Sequence, residues 1–248
     1  MNAPRAFDSF ARRYEDALDK GLRLTGESRD FYAAGRVNSC RKMCIKLGVP
    51  VHSVCDYGCG TGDTLPLLEQ AFGASRMVGF DTSPESLAEA VRRHGRRDWI
   101  MTTSVGRHME GLCDVVYCNG VFHHIAPAER LRSSAAVSRL LRSGGLWLLW
   151  ENNPWNPGTR WVMSRIPFDR DAILLSSREA RALGESAGLT YVETTFHFFF
   201  PSLLRFLRPL ENSMRRLPLG GQYLTVLRKS AAPPAGRCAN RADCITAP

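Results

Sequence analysis

A chain of 248 residues with 44% apolar side chains is long enough for one well-packed α/β domain with additions, and no apolar run in it approaches the length of a membrane span. The formal charge of +9 comes from lysines and arginines spread over many segments (Arg92, Arg93, Arg96, Arg97, Arg130, Arg132, Arg139, Arg142). With no recognisable RNA- or DNA-binding module, that charge supports only non-specific attraction to anions, and nucleic acid is not the expected partner. The first residues, Met1 to Arg5, lack the apolar core of a secretory signal, so a cytoplasmic location is expected. Eight cysteines without a C-x-x-C pair read as reduced and mostly buried thiols rather than a metal site, and no metal is expected.

In chain order, Phe7, Phe10, Ala11, Tyr14 and Leu18 fall on one helical face. Thr25 to Ser28 reads as a loop, followed by a second helix that carries Phe31 and Arg36 and ends at Leu47-Gly48, where glycine suits a helix terminus. These elements, residues 1–48, would form an N-terminal helical lid. Next come Val54-Cys55-Asp56-Tyr57 and then Gly58-Cys59-Gly60-Thr61-Gly62-Asp63, with Leu65, Leu68 and Phe72 behind them: strand, tight turn, helix. The following strand, Val78-Gly79-Phe80, ends in Asp81, about 20 residues on, where doubly wound folds hydrogen-bond a ribose. The glycines fall as G-x-G-x-G rather than the G-x-G-x-x-G of dinucleotide sites, and Asp56 and Asp63 flank them, which would repel phosphates. An acid before the turn suits a ligand with an ammonium group and no phosphate.

On these residues, Asp56 to Gly62 resembles motif I of the class I S-adenosylmethionine (SAM) methyltransferases, and Asp81 resembles their ribose-binding acid. The resemblance implies SAM as cofactor, held by Asp56, Gly58, Cys59, Gly60, Asp81 and Thr82. It also implies that a Tyr placed like Tyr14 touches the cofactor, and that Thr103, leaving the third strand, lies near the adenine, although the Asp that the family often has there is missing. Cys113-Asp114 to Asn119-Gly120 and then Val121-Phe122-His123-His124 resembles motif IV, which adds Asn119 and Gly120 to the cofactor set. A histidine there could take a proton from the acceptor or brace the loop, so His123 and His124 are candidate catalytic residues.

Pro127 to Arg142 reads as an amphipathic helix before Ser143-Gly144-Gly145, and Leu146 to Trp150 as a buried strand. A long loop dense in Asn, Pro and Trp then follows, running through Trp161 to Ile166, Phe168 and Asp169. In it Glu151 is a candidate general base, and Asn152, Asn153, Trp155 and Trp161 are candidate substrate contacts. Ser176 caps a further helix, and Thr190 to Pro201 begins as a strand and becomes an aromatic cluster around Phe198, which joins Phe31 as a substrate candidate. Leu203 to Leu210, interleaved with arginines, is expected to pack over the sheet edge. Covering the pocket, pairing as a homodimer and lying on a membrane surface are open to it as well. Gln222 to Arg228 closes the sheet, and residues 231–248 read as a disordered tail.

The strand–helix alternation implies a doubly wound α/β sheet. By resemblance it is a mostly parallel, seven-stranded Rossmann-like sheet with helices on both faces. Residues 1–230 would form a single domain: the lid, a cofactor-binding core over 49–151, and a substrate-side half over 152–230. The expected activity is methyl transfer from SAM to an oxygen, nitrogen or carbon atom of a small-molecule acceptor, in secondary metabolism. An RNA methyltransferase, a nicotinamide-dependent enzyme and a non-catalytic SAM-binding partner subunit are the alternatives.

Overall fold

The computed structural model describes residues 21–22, 25–95, 97–166 and 172–230. Tyr14, Phe168, Asp169 and residues 231–248 lie outside them. The first long element is helix α1 (Arg29–Lys46), capped by the Ser28 hydroxyl, which accepts from the Phe31 amide; β1 (Ser53–Tyr57) follows. Then come α2 (Leu65–Phe72), β2 (Arg76–Phe80), α3 (Pro84–His94), β3 (Ile100–Thr102), β4 (Cys113–Asn119), α4 (Pro127–Leu140) and β5 (Leu141–Asn152). Helices α5 (Pro157–Met163) and α6 (Ser177–Ser186), strand β6 (Leu189–His197), a 3₁₀ segment (Ser202–Leu210), α7 (Glu211–Met214) and β7 (Gln222–Lys229) complete the fold.

The seven strands form one sheet in the order β3-β2-β1-β4-β5-β7-β6, parallel except for β7, which runs antiparallel to β5 and β6. Strand β1 is buried along its whole length, as a central parallel strand covered on both faces must be. Successive residues point to opposite faces, so Cys55, Tyr57, Val116, Cys118, Trp147 and Leu149 join one core while Val54, Val115, Tyr117, Leu146, Leu148 and Trp150 join the other. Residues of α1, α2 and α3 close the second core; Val137 and Leu140 of α4 and Ala180 of α6 close the first.

The amino-terminal edge of the sheet is locked by Asp114. Its carboxylate accepts from the His52 amide (2.7 Å), the Ser53 amide (2.8 Å) and the Ser53 hydroxyl (2.8 Å), and it pairs with Arg142. Burial pushes the Asp114 pKa upward, but the guanidinium and these donors outweigh it and hold the group below the usual carboxylate range.

Three expectations are corrected. The helix expected over 127–142 ends at Leu140, because Leu141 already pairs with Cys113 as the start of β5. The expected loop after Trp150 is shorter than its sequence suggests. β5 runs on to Asn152, and Pro157–Met163 is helical, with Asn156 accepting from the Thr159 amide as its cap. Segment 203–210 does not pack down on the sheet edge: Leu203, Phe206 and Leu210 are exposed.

Candidate functional site

The turn after β1 is fixed by backbone bonds to β2: the amides of Gly58 and Cys59 donate to the Phe80 carbonyl at 2.7 and 2.9 Å. Gly58 sits at φ +82°, and a Cβ there would lie 2.3 Å from Val121 Cγ2, so only glycine lets the β4 loop come this close. At Gly60 (φ +52°) a Cβ would meet no atom of the described residues within 4 Å. Asp81 ties the turn to the next element: one carboxylate oxygen accepts from the Gly60 amide at 2.8 Å, the other from the Ser83 amide at 2.9 Å. Ser83 in turn caps α3. Thr82 and Thr103 stand exposed on this side, and Cys59 is buried against Gly79.

Asp56, at the carboxyl end of β1, is 3% exposed, and its carboxyl accepts no hydrogen bond from the described residues. Burial pushes its pKa up to about 7, the Asp81 charge adds to the rise, and the Arg36 charge opposes it. The other acid at the turn, Asp63, stands at 3.5–3.8 Å from Arg29, Arg93 and His94.

Beyond the turn lies a cavity of about 380 Å³. Asn119, Gly120, His123 and His124 bring one wall from the end of β4, Asn152 and Gln222 a second from β5 and β7, and Trp161, Met163 and Ile166 a third. Phe198, Phe199 and Phe200 together with Arg29, Tyr32 and Arg36 of α1 complete the lining, and among the described residues no carboxylate lines it. Arg36 donates to the Tyr117 hydroxyl and to Gln222 Oε1, both at 3.2 Å, and Gln222 Nε2 donates to Asn152 Oδ1 at 2.9 Å. Phe198 is held at φ +60°, the one non-glycine residue in that region among those described, and its ring packs edge-on to Tyr32 at 4.9 Å. A Cβ at Gly35 would lie 2.9 Å from that ring, so the missing side chain makes the seat for it. A strained residue is kept where the surroundings over-determine it, and here they shape a cavity wall.

Glu151 has both oxygens engaged. One accepts from the Phe122 amide at 2.8 Å, and the other receives His123 Nδ1 at 2.5 Å, with both side chains buried. A carboxylate acceptor keeps the proton on Nδ1 and makes Nε2 the acceptor nitrogen of the His123 ring. The expected role of Glu151 as a general base is therefore corrected, since a fully buried carboxylate with both oxygens occupied cannot reach an acceptor and instead orients His123. The His124 ring lies 4.2 Å from that of His123 and also lines the cavity.

Of the expected substrate contacts, Asn152, Trp161 and Phe198 line the cavity. Asn153, Trp155 and Phe31 do not. The Asn153 amide group donates to the carbonyls of Pro218 (3.0 Å) and Gly220 (2.8 Å) and fixes the loop. Trp155 is 72% exposed, and Phe31 lies beneath the Arg208 guanidinium. Of the two α1 residues that the sequence singled out, Arg36 lines the cavity and Phe31 does not. Arg29, Tyr32 and Arg36 recur at i, i+3 and i+7, and that stripe, not Phe31, faces the cavity. Asn156, Phe199, Phe200 and Gln222 also went unnoticed as lining residues.

Comparison with known proteins agrees with this geometry. Residues 54–145 match a family described as a methyltransferase domain. The chain is 27% identical over 155 residues to a glycine/sarcosine N-methyltransferase of Parasynechococcus marenigrum (strain WH8102), a match covering 59% of this chain and 50% of that protein. The chain thus spans about half the length of that curated relative. Among solved structures, a putative methyltransferase complexed with the Haloferax volcanii Trm112 methyltransferase activator superposes with a TM-score of 0.60 at 22% identity, covering 90% of this chain and 97% of that one. A SAM-dependent methyltransferase from Archaeoglobus fulgidus does so with a TM-score of 0.60 at 14% identity, covering 83% and 96%. Residues 54–145 thus match a methyltransferase domain, and the seven-stranded sheet built around them has the fold of the solved methyltransferases on which it superposes.

Proposed function

We propose that the protein transfers a methyl group from SAM to a small-molecule acceptor seated in the cavity beside Asn119 and Gly120. One observation carries this reading: the glycine turn and the cavity share a wall. Val121 packs on Gly58, while Asn119 and Gly120, two residues and one residue earlier, line the cavity. A cofactor on the turn would then meet an acceptor across a single strand end, at the switch point between β1 and β4 where α/β sheets bind ligands.

The residues fit SAM. Asp56 offers a buried carboxyl to an ammonium group, and Arg36, close enough to act on the Asp56 charge, offers a guanidinium to the neighbouring carboxylate of the same amino-acid end. Gly58 and Gly60 admit the ligand backbone-close, and Asp81 faces the ribose position. SAM, when bound, supplies a methyl group already activated on a sulfonium, so the work left to the protein is positioning and, where the acceptor carries a proton, removing it. His123, oriented by Glu151, is the group placed to receive that proton at Nε2. A cavity of about 380 Å³ lined by Tyr32, Trp161 and Phe198 to Phe200, with no carboxylate among the described lining residues, suits a small acceptor with apolar surface, and the relative named for glycine and sarcosine is consistent with a small-molecule substrate.

Calorimetric titration with SAM, S-adenosylhomocysteine and NAD tests the assignment. SAM and its demethylated product are expected to bind well below millimolar and NAD not to bind; absence of SAM binding at millimolar concentration overturns it. The same titration carries a pH signature. Below about pH 7 Asp56 in the free protein holds a proton that an incoming ammonium group must displace, so SAM affinity is expected to rise as pH rises through 7 and then to level off. In the absence of ligand the sign for folding is opposite: a pKa raised above its unfolded value costs stability as pH climbs from about 4 to 7. Asp56→Asn is expected to flatten both profiles, and a pH-independent wild-type affinity between pH 6 and 8 would count against Asp56 as the ammonium partner.

A further inference from the structure

The connection between β6 and β7 holds Leu203, Phe206 and Leu210 at 85%, 70% and 53% exposure, in a segment where the sequence pattern suggested burial. Leu217 and Leu219 are also exposed, and Arg205 and Arg216, next to Phe206 and Leu217 along the chain, stand exposed with no ion pair among the described residues. The segment is nonetheless well held. Glu211, its one acid, accepts from the amides of Phe199 and Phe200 at 3.2 Å, and Arg208 pairs with Glu27 at 2.5 Å and covers Phe31. The exposed side chains are thus displayed by a fixed scaffold rather than by a loose loop.

We propose that this segment seats the protein on an anionic lipid surface, with Leu203, Phe206 and Leu210 entering the headgroup boundary while Arg205 and Arg216 meet lipid phosphates. Apolar side chains at such exposure cost solubility unless something covers them, and the choice of cover follows from charge. A second copy of the chain, in a two-fold interface, would set this cationic patch against itself, with the only acid of the segment already engaged. A row of protruding apolar residues flanked by arginines matches instead the interface between anionic headgroups and acyl chains, which needs no complementary groove. Both ends of the segment, Phe199 to Pro201 and Gly221 to Gln222, line the cavity, so the seated protein would hold the cavity wall against the lipid boundary. The proposal stands independently of what the cavity binds.

The full chain would be sedimented with vesicles of phosphatidylcholine alone and of phosphatidylcholine mixed with phosphatidylglycerol. Each basic residue near an anionic surface contributes about fivefold in partitioning, so the two arginines predict roughly 30-fold stronger binding to the phosphatidylglycerol vesicles, lost at high salt. The double variant Leu203→Glu/Phe206→Glu is expected to lose at least about tenfold of that binding, since it replaces inserting side chains by charges that anionic lipid repels. Both substituted side chains are solvent-exposed, and an unchanged thermal melt confirms that the variant is folded. Equal binding to both vesicle types, or none to either, overturns the proposal. So does a wild-type dimer in analytical ultracentrifugation that the double variant abolishes, which would make the face a contact between copies.

Discussion

Replacing Asp81 by alanine is expected to weaken SAM binding by at least about 100-fold, the largest loss from any single substitution on the cofactor side. The two carboxylate oxygens of Asp81 accept from the Gly60 and Ser83 amides. Those two bonds set the turn and the start of α3 before any ligand arrives, and in the proposed reading the same carboxylate meets the ribose hydroxyls. Charge-assisted hydrogen bonds contribute about 1.5–3 kcal/mol each, so losing two ribose bonds corresponds to roughly 10²- to 10⁴-fold. The turn loses its anchor as well. Asp81→Asn keeps one acceptor oxygen and should fall between wild type and alanine. Calorimetry with S-adenosylhomocysteine reads the effect without turnover, and a loss of less than about threefold for alanine would remove Asp81 from the binding site.

Glu151→Gln is expected to lower the turnover number by about 10²-fold or more while leaving SAM affinity within a fewfold of wild type. Glutamine can still accept from the Phe122 amide, but it presents an NH₂ group to His123 Nδ1 where the carboxylate accepted a proton. The imidazole must then offer its lone pair at Nδ1 and carry its proton on Nε2, and Nε2 is no longer an acceptor. The isosteric change preserves packing, whereas Glu151→Ala would leave a buried histidine and a buried amide without their acceptor, at a cost of about 3–5 kcal/mol. The discriminating readout is the split between kcat and the SAM dissociation constant, measured across pH. If turnover survives Glu151→Gln within threefold, the His123–Glu151 pair is a brace for the β4 loop and the reaction proceeds by positioning alone.

The glycine turn was legible in the sequence because its demands fall on the backbone. Close approach at Gly58, a positive φ at Gly60 and a carboxylate at Asp81 each restrict residue type so tightly that the order of residues displays them. The sheet was legible for a similar reason: β1, β4 and the latter part of β5 are buried on both faces and read as apolar runs. The acceptor side was not, because its residues meet only after folding. Arg36 reaches the cavity 186 residues before its partner Gln222, and Phe198 finds its place against Gly35 and Tyr32 of a distant helix. Local pattern also misled. Asn153 and Trp155 look like recognition residues in a polar loop, yet one fastens the chain to Pro218 and Gly220 and the other points to solvent. Glu151 looked like a free base and proved to be a partner for His123.

The hairpin connection between β6 and β7 has a further consequence. Its residues supply the aromatic wall of the cavity, yet they are tied to the sheet through β7, which runs antiparallel at the far side of β5 from the glycine turn. Changes of length or side chain in residues 198–221 can therefore reshape the acceptor chamber while Gly58, Gly60 and Asp81 keep their bonds. On the proposed function, cofactor retention and acceptor choice are modular, so a lineage, or an engineer grafting another connection of compatible ends, would move from one acceptor to another without passing through a sequence that has lost its methyl donor.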